Sequence, residues 1–449
     1  MSANNQEIKA KVNQTIDQYS DVLIKTSKDI ADNPESGFKE VKTSNKVAEW
    51  FQNLSMEYQD EIAVTGLKAT LRGKAGDGPT IAVIGELDSM VVPGHAIEDP
   101  VTHAAHACGH HIQIGNMLGV AVGISASGVL DHLSGSIIFM AVPAEEYIEL
   151  EFRNELKRAG QVEFLTGKGE FVRLGHFDNV DMAIMTHATT ADHQNGAGSK
   201  DLTISSGSNG LIAKRAEFIG HASHAGGAPW DGVNALNAAT LALQAVHMQR
   251  ETFKDDDSIR VHPIITKGGS AVNAVPDAVN IETYVRGKSL EAIMEANSKV
   301  DRALKAGAMA IGAQVRIINL GQMLPLIQDD FMAEIYKKNA ENLLGSDGFG
   351  WRGHQGGSTD MGDISYLMPT LHPYVHAARG QAHGVDFVIE NYPLAVITAA
   401  KAMAGVVVDM LCNSAATANQ IIKKAKPKLT MAEYLNLTRG FYSEEVFPN

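Results

Sequence analysis

The chain has 449 residues, with 38 Lys+Arg against 52 Asp+Glu, a formal net charge of −14, and 17 His. That length suits two or three domains, and 44% hydrophobic residues are ample for large cores. Gly 42 and Pro 14 exclude wholesale disorder, the acidic balance repels phosphate backbones and excludes nucleic acid as an expected partner, and two Cys cannot build a disulfide framework.

Residues 1–7 lack the basic-then-apolar pattern of a signal peptide, and no apolar run approaches the roughly 18 residues of a membrane span. The expectation is a cytoplasmic enzyme-sized protein without a membrane partner. Ile8, Val12, Ile16, Tyr19 and Leu23 have helical spacing over 7–30, stopped by Asn33-Pro34. Val47, Trp50, Phe51 and Leu54 predict a second helix over 45–54. Strands over 66–73 and 80–87 flank a turn at 74–79, and the unbroken apolar run Ile81-Ala-Val-Ile84 suits a strand buried on both faces. A helix over 116–125 and strands over 136–142 and 180–186 continue the alternation, which argues for an α/β sheet with helices on both faces.

From about Ser205 the texture changes. Strand 211–219, helix 232–250, strands 258–267 and 278–286, helix 290–311 and strand 314–320 follow the split βαβ, ferredoxin-like order. The expected architecture is a discontinuous α/β catalytic domain with a mixed sheet, 1–204 and 320–449, interrupted by a ferredoxin-like α+β lid or dimerisation domain, 205–319. A long apolar helix over 392–412 closes the chain's regular part, and the tail after Asn413 carries no signal.

Ligand-type residues fall just after predicted strands: Glu86 and Asp88, Glu145-Glu146, and His187, with Cys108-Gly-His110-His111 opening a helix and His383 preceding the last one. Sites in open α/β sheets form outside the carboxyl ends of strands, so these clusters can converge. Thiolate, imidazole and carboxylate together suit zinc or a similar ion. Taken singly the signals are weak. A Cys-x-His is more often a buried structural Cys beside a surface His, adjacent glutamates are commonplace in loops, and a lone His is usually a satisfied core residue. A Cys/His nucleophile pair is a further alternative.

The combination is more specific. His106-Ala-Cys-Gly-His110, Pro143-Ala-Glu-Glu146 and Thr186-His187 resemble the aminoacylase/carboxypeptidase metallopeptidases, most of all the amidohydrolase branch of aminobenzoyl-glutamate and amino-acid-conjugate hydrolases. Gly85-Glu-Leu-Asp88, Gly220-His-Ala-Ser-His224-Ala, Asn273-Ala-Val-Pro-Asp277 and Gly356-Gly-Ser-Thr-Asp360 extend the resemblance in order along nearly the whole chain.

The resemblance implies two divalent ions, zinc or manganese, held by Cys108, His110, Glu146, His187 and His383. It implies Glu145 as general base and Asp88 as the residue that orients a ligand. His224 is implied to reach an active site across a lid-mediated homodimer, and Asn273 and Arg286 to bind the substrate carboxylate, a task that suits a guanidinium fork. A surface ion pair is the alternative for Arg286. The activity implied is hydrolysis of an amide bond in an N-acyl amino acid or dipeptide-like substrate.

Three departures stand out. His111 occupies a place where the family has Asp or Asn, Glu86 one where it has His or Asp, and the charged stretch between Glu146 and Val180 is longer than in relatives and is expected to reshape the substrate pocket. A non-catalytic binder of amino-acid-like ligands remains the rival from another class, but no base or ligand is missing. A cysteine-nucleophile hydrolase is the other, and it predicts sensitivity to alkylation and none to chelators.

Overall fold

The structure is a computed structural model that describes residues 3–190 and 200–448. The chain divides into two compact units. The first comprises Met1–Gly207, Ile327–His354 and Ile364–Met431, and the second Ser208–Leu326, Gln355–Asp363 and Ala432–Asn449.

The first unit is built on a six-stranded mixed sheet. Its strands run in the order Tyr58–Ile62, Gly66–Arg72, Ser136–Val142, Thr80–Glu86, Met182–Ile184, Thr370–Leu371. The last four are parallel and the first two antiparallel. Strands 66–72 and 80–86 are therefore not neighbours across their turn, because Ser136–Val142 enters between them. Thr80–Glu86 is buried from Ile81 onward, as its continuous apolar run requires. The helix His110–Ala126 is buried from His110 to Ile124, so it has no solvent-facing side to mark its start by periodicity.

The single N-terminal helix expected from spacing is two, Ala3–Gln18 and Ser20–Ala31, parted where Tyr19 leaves helical backbone at φ −100, ψ 6. The segment Pro393–Lys424 is long and apolar enough to span a membrane, contrary to the expectation that none is. In this fold 89% of its most apolar stretch is buried, as in a core helix. It packs into the main core with Leu23, Ile114 and Leu118.

The second unit is an antiparallel sheet in the order Arg260–Val261, Ala278–Gly287, Gly210–Ile219, Gln314–Met323, Ser443–Phe447, with Ile264–Lys267 also pairing Ala278–Gly287. Helices Ala235–Met248 and Leu290–Ile311 pack on it through Ala238, Ala242, Ala296 and Leu304. Ala278–Gly287 alternates in burial at every residue, the period of a strand with one covered face. The α/β class with mixed sheets is borne out, and the split βαβ order is present. The expected strand 258–267 is two, Arg260–Val261 and Ile264–Lys267, and the sheet gains a sixth strand from the tail that carried no sequence signal. Ser443–Phe447 is a charged edge strand, and the adjacent Glu444 and Glu445 at an edge read as a solvated tail.

Candidate metal centre

Three parallel strands of the first unit end side by side, and each delivers acid or imidazole. Thr80–Glu86 ends in Glu86 and leads to Asp88, Ser136–Val142 leads to Glu145 and Glu146, and Met182–Ile184 leads to His187. Between them Gly109, at φ 85, starts the helix His110–Ala126 with a left-handed residue that glycine adopts without strain. Ala144 and His383 hold the same backbone region without that freedom, at φ 54 and 65. Such residues persist where surrounding structure over-determines them, commonly at functional sites.

Donor atoms converge in three overlapping groups: Cys108, His110 and His187; Cys108, Glu146 and His383; Glu86, His110 and Glu145. Within each group they lie within 4.8 Å of one another. Cys108 Sγ is 3.4 Å from His187 Nε2, and His383 Nε2 is 3.4 Å from Glu146 Oε1. Two imidazoles are aimed by their other nitrogen. His110 Nδ1 lies 2.9 Å from Asp88 O and 3.0 Å from Asp88 Oδ1, and His187 Nδ1 lies 2.6 Å from Ala188 O. Each leaves Nε2 facing the cluster, the arrangement of ligating histidines. Asp88 Oδ2 also accepts from the Glu146 backbone N–H at 2.9 Å, tying ligand loop to ligand helix. The structure thus brings Cys108, His110, Glu146, His187 and His383 together with Glu145 and Asp88.

The donors suit a divalent ion for a reason visible in their own partners. His110 Nε2 and Glu146 Oε1 are buried and make no hydrogen bond. Buried polar atoms without partners are rare and costly, and a cation beside them removes that cost. Burial works against charging His110, but Glu86, Cys108 and Asp88 outweigh it and raise its pKa well above the usual range. Burial and then Glu146 push the Cys108 thiol far up, which disfavours a free thiolate nucleophile in the absence of a cation.

Sequence reasoning missed the supports of this cluster. Glu86 is fully buried, and Lys168 Nζ reaches its Oε1 at 2.5 Å while Gln113 Nε2 donates to its Oε2 at 2.7 Å. Burial works to raise the Glu86 pKa, but Lys168, His110 and His187 together hold it at about 2. Arg153, also fully buried, donates to the carbonyls of Ala144 (3.2 Å), Leu165 (2.7 Å) and Glu146. Both cations come from the long stretch between Glu146 and Val180, through helices Leu150–Arg158 and Gly167–Arg173. These two side chains run beneath the ligand loops. His111 is buried against His106, 5.1 Å between rings, with Nε2 3.2 Å from Tyr392 Oη. Burial and His110 hold it at about 3, neutral and outside the donor groups.

The remaining candidates belong to the second unit. His224 is exposed, and its Nδ1 accepts the backbone N–H of Gly226 (3.1 Å) and Gly227 (2.9 Å). Its proton therefore sits on Nε2, an outward donor. Asn273 is its neighbour, with its carbonyl accepting from Ala225 N at 2.9 Å. Arg286 stands apart from that pair on Ala278–Gly287, donating from Nε to His262 Nε2 at 3.0 Å, its guanidinium 5.1 Å from the Tyr284 ring.

Residues 206–310 match the model of a peptidase dimerisation domain. The Xaa-Arg dipeptidase of Mus musculus is 25% identical over 96% of this chain and 94% of its own length. The IAA-amino acid hydrolase ILR1-like 4 of Arabidopsis thaliana is 23% identical over 74% and 71%. A Bacillus subtilis crystal structure described as a dinuclear metal binding peptidase from the M20 family superposes with TM-score 0.62 at 20% identity, covering 88% of this chain and 99% of that one. The chain is similar to peptidases and amidohydrolases of the M20 type. It is a hydrolase of carbon–nitrogen bonds, and the resemblance drawn from its motifs is borne out.

Proposed function

We propose that this hydrolase cleaves the amide bond of an N-acyl amino acid or dipeptide with a free carboxylate, using two ions held by Cys108, His110, Glu146, His187 and His383. The observation that carries the reading is the convergence of those donors around His110 Nε2 and Glu146 Oε1, both buried and making no hydrogen bond. When bound, zinc or manganese lowers the pKa of a water and polarises the scissile carbonyl.

Glu145 lies beside His110 in the cluster, with Oε2 3.9 Å from His110 Nε2. It takes the proton of the attacking water and returns it to the leaving amine. Asp88 fixes the His110 ring and the Glu146 backbone, so both donors are set before substrate arrives. His224 presents Nε2–H to the developing oxyanion, from one protomer to its partner's centre in a homodimer. Asn273 and Arg286 hold the substrate carboxylate. Lys and Arg are outnumbered overall, so a localised guanidinium supplies what net charge does not. The cytoplasm is the compartment that suits a thiol ligand kept reduced.

The test is a panel of N-acyl amino acids and dipeptides, including C-terminal arginine, each assayed beside its C-terminal amide. Charge-assisted hydrogen bonds to a carboxylate contribute about 1.5–3 kcal/mol, so amides should be cleaved roughly 10–100-fold less efficiently. Equal cleavage of acids and amides would remove the carboxylate from the reading.

A further inference from the structure

We propose that Glu86 is an additional metal-facing carboxylate on the His110 side of the centre, and that Lys168 is the positioning residue that aims it. The inference rests on the dinuclear reading above and deepens it.

The geometry starts from what each oxygen of Glu86 does. Oε1 is taken by Lys168 Nζ at 2.5 Å, so the side chain cannot rotate without breaking a fully buried ion pair. Oε2 accepts from Gln113 and lies 3.2 Å from His110 Nε2. That second contact is not a hydrogen bond, since His110 Nε2 has no hydrogen-bond partner. With Nδ1 held by Asp88, His110 keeps Nε2 aimed at that carboxylate oxygen, so a cation between the two atoms would be bound by both. Ligand atoms about 2.0–2.2 Å from a divalent ion, at the angles of tetrahedral or octahedral coordination, lie roughly 3–3.5 Å apart, and this pair fits. Glu145 is the third member of the same group.

Lys168 arrives by a close approach that no larger residue permits. A Cβ on Gly167 would lie 1.8 Å from the Pro143 carbonyl oxygen. The helix Gly167–Arg173 is thereby docked against the chain just before Glu145, and its next residue reaches Glu86. A buried ion pair is an inefficient stabiliser, since apolar residues of the same volume commonly do as well. Its use here is orientation. It holds one oxygen of Glu86 fixed and leaves the other turned to His110.

The experiment measures zinc and manganese stoichiometry and affinity, by competition with a chromogenic chelator, on wild type, Glu86→Gln, Lys168→Met and the double variant. The cobalt absorption spectrum of each reports coordination. The double variant removes both charges together, so it keeps a neutral, well-filled interior if Lys168→Met alone fails to fold. We expect wild type to bind two ions, and every folded variant to weaken one of the two by about 10–100-fold or more with an altered cobalt spectrum. A folded double variant that binds two ions with wild-type affinity and spectrum overturns the inference and makes the pair structural. Wild type that binds no ion overturns the dinuclear reading itself, a different and distinguishable failure.

Discussion

Adjacent glutamates in one loop can divide two tasks only if their surroundings differ, and here they do. Glu146 Oε1 faces His383 at 3.4 Å and its backbone is fixed by Asp88, whereas Glu145 Oε2 lies at 3.9 Å from His110 Nε2. Burial opposes ionisation of Glu146, but His383 and His110 outweigh it and lower its pKa, as befits a donor. Glu145→Gln should therefore lower the turnover rate by about 10²–10⁴-fold with metal content unchanged, because it removes only proton transfer. Glu146→Gln should deplete the metal. Metal stoichiometry and turnover on both variants check this, and the reverse pattern would swap the roles. A third glutamate gives a pH signature. Glu40 is buried and accepts from Thr65 Oγ1 (2.6 Å) and Ala144 N (2.8 Å); burial and then Asp88 raise its pKa from 4.5 to about 7. A raised carboxyl pKa means the folded state keeps a proton that the unfolded chain releases. This contribution to stability is full below about pH 4.5 and is lost as pH rises to about 7. In metal-free protein, Glu40→Gln should flatten that decline and melt higher than wild type above pH 7. Thermal melts across pH 4–8 read the difference, and parallel profiles would remove Glu40 from the account.

At the scale of elements, the stretch between Glu146 and Val180 underlies the site through two short helices. Arg153 donates to three carbonyls, of which Glu146 O also accepts from Ile148 N at 2.9 Å. An unsatisfied buried acceptor costs about 1–3 kcal/mol, so Arg153→Met, which bares the Ala144 and Leu165 carbonyls, should destabilise the protein by roughly 2–5 kcal/mol, measured by denaturant unfolding. A change below about 1 kcal/mol would mean those carbonyls find other partners. The residues of the donor cluster were legible because strand-end rules and local spacing act over a few residues: Cys108 and His110 share a turn, and Glu145 and Glu146 share a loop. Lys168 was not, because its partner is 82 positions away and its context, Gly167-Lys-Gly169, reads as an ordinary loop. The start of His110–Ala126 was legible only from the Cys108-Gly-His110-His111 motif that opens it, since periodicity marked no more than 116–125 of a helix buried on every face. Ser443–Phe447 hid for the opposite reason, its acidic edge-strand composition imitating a tail.

At the scale of the whole molecule, the proposed reaction takes the donor cluster from one protomer and His224 from its partner. Mixing His224→Ala with Glu145→Gln should then restore part of the activity that each lacks, since a heterodimer carries one intact site; a fully active monomer would rule this out. The central claim is more basic, that this chain hydrolyses amides only with two divalent ions at Cys108, His110, Glu146, His187 and His383. Its most direct test is to strip the protein with chelator, verify by circular dichroism that it is still folded, and titrate zinc or manganese back while following hydrolysis of an N-acyl amino acid. A core this large does not depend on metal to fold, so the stripped protein should be folded and inactive. Activity should then rise to a plateau at two ions per chain. Full hydrolysis by folded, metal-free protein would contradict the account.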